Sequence, residues 1–178
     1  MYRVAPIQPE DLDMVFELYA AAAQFQREKK EVVVWPEFDR AMVQTEIEQG
    51  RQYKLLIDDA VACIWAIAFN DAQIWEHREN NSSVYIHRIA TAPPFRGQSM
   101  VKKIVAWGQH YALENNKTHL RLDTLGNNTK LIDHYQAAGF TFLGMFPLQN
   151  PAGLPLHYQT APACLFEIDL TTTTHHNE

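Results

Sequence analysis

The sequence predicts a mixed α/β domain, with runs of antiparallel strands beside one strand-helix-strand crossover. Two observations carry that prediction. Segments of strand character follow one another in pairs instead of alternating one for one with helices, which excludes a doubly wound parallel sheet. The chain also has 178 residues, 47% of them apolar, enough for one real core and too few for two domains of ordinary size. A single domain over residues 1–170 with a flexible tail over 171–178 is the expectation.

Taken in order, "YRVAPIQ" reads as a first strand. "PEDLDMVFELYAAAAQFQ" opens with proline and acidic residues, as helix N-termini do, and Leu12, Val15, Phe16, Tyr19 and Ala20 recur at helical spacing. A second helix is predicted from Pro36 to Gln49, with Phe38, Met42, Val43 and Ile47 on one side and Gly50 as a stop. "QYKLLIDDAVACIWAIAFND" reads as a hairpin turning near Asp58-Asp59. Residues 70 to 83 are polar, with Trp75 isolated among charges, and read as a loop. "SVYIHRIAT" is a strand. Val101, Ile104, Val105, Gly108, Tyr111 and Ala112 then share one face of a helix over 100–114. "THLRLDT" alternates as a strand. "NNTKLIDHYQAA" is a helix capped by asparagine and ended by Gly139, and "FTFLGMFPL" and "ACLFEIDL" are the last strands.

Composition narrows the function. The net charge is -6, with no basic stripe to meet phosphates, so nucleic acid is not an expected partner. Cys63 and Cys164 both sit in apolar runs and read as buried reduced thiols. No Cys-x-x-Cys pair points to zinc or redox work, and the paired histidines of "TTTTHHNE" lack companion ligands, so no metal is expected. Neither a signal-peptide core nor a membrane-length apolar run is present. A soluble, cytoplasmic protein without a membrane partner is the expectation.

Two stretches carry chemistry. In "IHRIATAPPFRGQSMVKKIV" a strand becomes a helix through two prolines, an arginine and a glycine. A helix N-terminus offers unpaired N–H groups and the positive end of the dipole, which suits an anion. Gly97 lets the backbone approach a ligand closely, Arg96 adds charge, and Pro93 and Pro94 stiffen the turn. An ordinary turn with a surface arginine fits these residues equally well. In "DTLGNNTKLIDHYQAAGF", Tyr135 follows Asn128 by seven residues, ahead of Gly139-Phe140. Core packing for Tyr135 and simple capping for Asn128 are the plain alternatives.

Together the two stretches resemble the GNAT superfamily of N-acetyltransferases, which carries a Pro-x-x-Arg-Gly-x-Gly-x-Gly/Ala loop after its fourth strand, then an Asn, a Tyr seven residues on, and Gly-Phe. Here the first motif is Pro93 to Val101 and the second is Asn128, Tyr135 and Gly139-Phe140. The likeness is specific over residues 84 to 146. It implies a GNAT-like fold: a mostly antiparallel sheet of six to seven strands, about four helices, and a splay between the fourth and fifth strands. Ser99 stands where the family usually has its second glycine, and Val101 where it has Gly or Ala, which implies a retuned site.

The resemblance further implies acetyl-CoA as donor. Its diphosphate would lie on the N–H groups of Gly97, Gln98, Ser99, Met100 and Val101 beside Arg96. Its pantetheine arm would pair with the strand edge at Ile89, Ala90 and Thr91, with Asn128 and Tyr135 closing the cofactor site. A backbone N–H near Ile89 would meet the oxyanion, and Tyr135 would protonate the leaving thiolate. His87 and Asp123 are the candidate bases, with an Arg88 or Arg121 ion pair as the alternative role for Asp123. Trp35, Phe38, Trp75 and His157 are the candidates to line an acceptor pocket, or else to close the edge of the core. The acceptor would be a primary amine, unspecified among amino acid, polyamine, antibiotic and protein N-terminus, and a homodimer is left open. A CoA-binding sensor without turnover is the first rival. A nucleotide-phosphate enzyme is the second, disfavoured by the lack of a Gly-Lys-Ser/Thr loop.

Overall fold

The computed structural model describes residues 1–172. The expected flexible tail, with its paired histidines, lies outside the described residues from 173 onward. Seven strands form one sheet: β1 (Tyr2–Pro6), β2 (Gln52–Ile57), β3 (Ala60–Ala68), β4 (Ser83–Thr91), β5 (His119–Leu125), β6 (Thr141–Phe146) and β7 (Ala163–Asp169). Their spatial order is β1-β2-β3-β4-β5-β7-β6. Every neighbouring pair is antiparallel except β4 and β5. The helices are α1 (Leu12–Glu28), α2 (Arg40–Glu48), the single turn α3 (Ala72–Trp75), α4 (Met100–Glu114) and α5 (Thr129–Ala137).

Local chemistry sets the boundaries. The β2–β3 hairpin turns on Asp58 and Asp59, both left-handed at φ 47 and 64, the conformation that a tight hairpin of the right twist requires. α1 begins at Leu12, because Pro9–Asp11 form a 3-10 turn first. α2 begins at Arg40 rather than Pro36. Asp39 is extended, and its carboxylate accepts the Met42 N–H at 3.0 Å, so the cap falls there. α4 crosses from β4 to β5, and Gly108 lets it lie close: a Cβ there would sit 3.0 Å from the Leu120 side chain.

Each sheet face has its own core. On one, α4 and α5 bury Ile104, Val105, Ile132 and Tyr135 against Trp65, Ile86, Leu122 and Phe166. On the other, α1 and α2 bury Val15, Tyr19, Val43 and Ile47 against Ile64 and Ala90. A third cluster, around Trp75, Tyr85 and Leu165, closes the sheet below α3.

One irregularity positions everything that follows. The β4–β5 ladder runs from Ser83↔His119 to Ile86↔Leu122 and stops. On the other edge of β4 the register with β3 slips between Ile64 and Ala66, and Arg88 has a left-handed φ of 51. This is a β-bulge, which inserts a residue and bends the strand. β4 and β5 part after Ile86 and Leu122, just ahead of this bulge, and the sheet is split at its centre. The bulge also breaks the alternation. Ile86 and Ile89 pack on the α4–α5 side, while Ala90 packs on the α1–α2 side. His87, adjacent to Ile86 before the bulge, therefore does not share a face with Ile89, as a regular strand would require.

Candidate active site

A cleft of about 530 Å³ runs through the split. The C-terminal half of β4, the end of β5, the Phe95–Val101 loop, α5 and the segment after α1 line it. It is open to both faces of the sheet, so groups from both can meet inside it.

At one end lies the α4 N-terminus. Gly97 has φ +77, and nothing lies within 4 Å of where a Cβ would be, so glycine is needed there for its backbone and not for space. Ser99 also has a left-handed conformation, φ 57 and ψ 40, and its side chain caps nothing. Arg96 does not hang free. Its Nη2 donates to the Ala21 carbonyl at 3.1 Å, and its guanidinium lies 4.2 Å from the centre of the Phe25 ring. The arginine thus ties the loop to α1 at the rim of the cleft. Gln98 turns back, donating to the Pro94 carbonyl at 3.1 Å, and lies outside the cleft lining. Met100 and Val101 are buried and also line the cleft wall.

Asn128 does two jobs. Its Oδ1 accepts the Leu131 N–H at 3.1 Å, capping α5, and its Nδ2 donates to Glu31, across the cleft on the segment after α1. Tyr135 projects from α5 into the cleft, 9% exposed, with its ring against Phe166 and Phe140. Burial, with Cys63 and Asp123 nearby, holds its phenol well above the usual range, so it is protonated at neutral pH.

From the opposite face come His87 and Asp123. His87 Nδ1 is 3.9 Å from Asp123 Oδ1, and its Nε2 is 3.3 Å from Asp71 Oδ2. The Asp123 side chain is 1% exposed. Neither of its oxygens receives a well-formed hydrogen bond, although the Tyr158 hydroxyl lies close enough to favour its charged form. Burial pushes Asp123 up. It pushes Asp71 up too, aided by Asp123 and Glu79. Burial, then Arg88 and Arg51, pushes the His87 imidazole down. Asp123 pairs with neither arginine. Arg121 instead bonds Glu167 at 2.7 Å and Arg88 bonds Glu46.

The acceptor-side aromatic residues divide. Trp35 and His157 line the cleft, and burial with Arg88 nearby lowers His157 to about 4. Phe38 is 6% exposed and lies behind them, edge-on to Trp35 at 5.6 Å and to His157 at 5.9 Å, so it backs the wall. Trp75 is a correction: it is wholly buried below α3 under the Arg121 guanidinium, 4.5 Å away, and takes no part in the cleft. The one-turn helix α3 anchors itself by burying Ile74 and Trp75 against Tyr85, Ala163 and Leu165. Asp71 and Glu46 were not among the expected site residues. Only the burial of a carboxylate marks Asp71 out, and local sequence does not reveal burial.

Ile89, Ala90 and Thr91 line the cleft along the freed β4 edge, where β5 no longer takes up their backbone groups. The arrangement offers a helix N-terminus at one end, an unpaired strand edge along one wall, and titratable groups from both faces at the middle. Among the described residues no helix is long and apolar enough to cross a membrane.

Comparison with known proteins agrees with this fold. The model of the acetyltransferase (GNAT) family matches residues 12–140. An uncharacterized N-acetyltransferase, YesJ of Bacillus subtilis strain 168, is 26% identical over 102 residues, covering 55% of this chain and 57% of that one. The match thus spans little more than half of that relative's length. A GNAT-family acetyltransferase from Listeria monocytogenes 4b F2365 superposes with a TM-score of 0.73 at 22% identity, over 95% of both chains. YncA from Salmonella typhimurium, a putative acetyltransferase solved with acetyl-CoA, gives 0.66 at 13% identity, over 95% of this chain and 94% of that one. The chain belongs to the acetyltransferase (GNAT) family.

Proposed function

We propose that this protein transfers an acetyl group from acetyl-CoA to a primary amine, directly, with both bound at once. The observation that carries the reading is the split itself. It brings Tyr135 from the α5 face and His87 with Asp123 from the other face into one cleft, as a two-substrate transfer without a covalent enzyme intermediate requires.

The chain's own residues have distinct tasks. The N–H groups at the start of α4 hold the diphosphate end of the donor, within reach of the loop that Arg96 ties down. The bulged edge at Ile89 to Thr91 takes the pantetheine arm as an added strand, and an N–H near Ile89 faces the acetyl oxygen. His87 and Asp123 accept the proton that makes the amine nucleophilic. Tyr135 returns a proton to the departing sulfur. Acetyl-CoA supplies the activated acyl group. Trp35 and His157 would flank the acceptor.

The test is thermal shift with acetyl-CoA, followed by an amine panel with a free-thiol readout. A ligand binding only the folded state stabilises it by about 2.7 kcal/mol at a hundredfold excess over Kd. No shift removes the donor assignment. A second reading, a CoA sensor without turnover, draws on Ser99 and Val101, which keep a side chain where the family usually has a smaller residue. Binding without transfer to any amine would decide for it.

A further inference from the structure

Asp71 has no role in the chemistry above, yet its carboxylate is placed with care. It precedes α3, and its N–H donates to Glu79 Oε2 at 2.9 Å, which fixes the turn. The side chain, 12% exposed, points inward to His87. Apart from the ring nitrogen 3.3 Å away, its Oδ2 is sealed from solvent without a hydrogen-bond partner. Asp123 stands at the other nitrogen of the same ring, its oxygens sealed as well. His87 is thus held between two buried carboxylates, one on each edge, and only His87 and Asp123 line the cleft.

We propose that Asp71 is the positioning residue of a proton-accepting unit, Asp71–His87–Asp123. By holding the Nε2 edge of the ring it keeps Nδ1 turned towards Asp123 and the cleft, where the acceptor amine gives up its proton. The proposal rests on the acetyl-transfer reading. The step balances simply. An N–H bond of the ammonium breaks, and its electron pair stays on nitrogen. The proton reaches Nδ1 while the Nε2 proton passes to Asp71 Oδ2. One proton later leaves to solvent. The freed lone pair forms the new C–N bond as the C–S bond breaks, the sulfur takes the Tyr135 proton, and the second proton lost by the amine restores Tyr135.

The surrounding charges favour this direction of travel. Arg88 and Arg51 face the ring and disfavour an imidazolium. Asp123 and Glu79 face Asp71 and favour its protonated form. The Tyr158 hydroxyl faces Asp123 and favours its charged form. A proton arriving on the ring is therefore driven on to Asp71. The geometry is that of a bridge, not a chelate. One donor atom from each residue can be chosen within 4.8 Å of the others, but tetrahedral zinc needs donors about 3.4 Å apart. The two close contacts, moreover, use opposite nitrogens of the ring.

The test is nitrogen-15 NMR of His87 in the full protein as pH is raised through neutrality, with the pH profile of kcat/KM. The parent ring should change from the Nδ1–H to the Nε2–H tautomer as Asp71 ionises, and kcat/KM should rise over the same range. In Asp71→Asn the tautomer change should vanish, kcat/KM should fall about 10- to 100-fold with its pH limb displaced, and acetyl-CoA affinity should hold. A tautomer that never changes in the parent overturns the proposal, and needs no variant to fold. So does an Asp71→Asn enzyme with the parent's NMR titration and pH limb. Stoichiometric Zn²⁺ binding that is lost in His87→Ala also overturns it. If no amine is acetylated while the tautomer still titrates, the transfer reading falls and the pairing of Asp71 with His87 stands.

Discussion

Replacing Ser99 by glycine should make the protein more stable, not less. Ser99 is left-handed at φ 57, its side chain makes no capping bond, and it is exposed. A side chain in that region costs about 1–2 kcal/mol. Glycine removes the cost but gives back about 0.5–1 kcal/mol in unfolded-state entropy. The net expectation for Ser99→Gly is a gain of about 0.5–1 kcal/mol, or a rise of roughly 1–4 °C in Tm for a chain of this size. Gly97→Ala is the internal control. Gly97 has the same handedness and open space around it, so alanine there should cost about 1 kcal/mol for conformation alone. Denaturant melts of the three proteins without ligand read both signs. A Ser99→Gly variant less stable than the parent would mean that the serine makes an interaction that outweighs its strain, and the strain argument would fail.

Arg96→Ala and Gly97→Asp should both weaken acetyl-CoA binding with the fold intact: the first roughly tenfold, as expected for about 1.5 kcal/mol of charge-assisted bonding, the second more, since it adds a like charge beside the diphosphate. Titration calorimetry checks both, and parent-like affinity in the pair would place the phosphates elsewhere. Tyr135→Phe keeps the ring packed against Phe166 and Phe140 and removes only the hydroxyl. Turnover should fall about 10²-fold with acetyl-CoA affinity unchanged, and unchanged turnover would leave Tyr135 as packing. Stability should decline as pH rises above about 6.5, where an unfolded histidine is more than half neutral. In that window the folded state holds protons on the raised Asp71 and Asp123 carboxyls that the unfolded chain has lost. Asp71→Asn should flatten the decline, measured by denaturant melts across the range.

Much of the fold was legible because it is written locally. The Asp58–Asp59 turn, the Asn128 cap and the apolar stripe of α4 each depend on neighbours in sequence. The α4 loop was legible for a similar reason: its glycine, prolines and arginine answer a backbone demand at that point. The acceptor side was not. Asp71 and His87 are brought together by β4 and the turn before α3, and nothing in "NDAQIW" says that its aspartate faces inward. Trp75 misled for the complementary reason. A tryptophan among polar residues reads as exposed, yet here it is the cover of a small core, reached by one helical turn that periodicity cannot detect.

The bulge at Arg88 links these two halves, and its own support explains Glu46. A non-glycine residue at positive φ in a strand costs on the order of 1–3 kcal/mol unless its surroundings hold it. Here the Arg88 side chain is clamped by Glu46, which also accepts Gln52 Nε2 at 2.7 Å, and its guanidinium lies 5.4 Å from the Phe38 ring centre. A buried ion pair of this kind is poor evidence for added stability, because desolvation offsets much of the attraction. Its position suggests a different use. Clamping Arg88 to α2 fixes the one residue at which β4 changes face. That change places His87 on the Asp123 side and Ile89 on the Tyr135 side. The acidic residue on α2, remote in sequence from every motif, thus supports the residue at which β4 changes face.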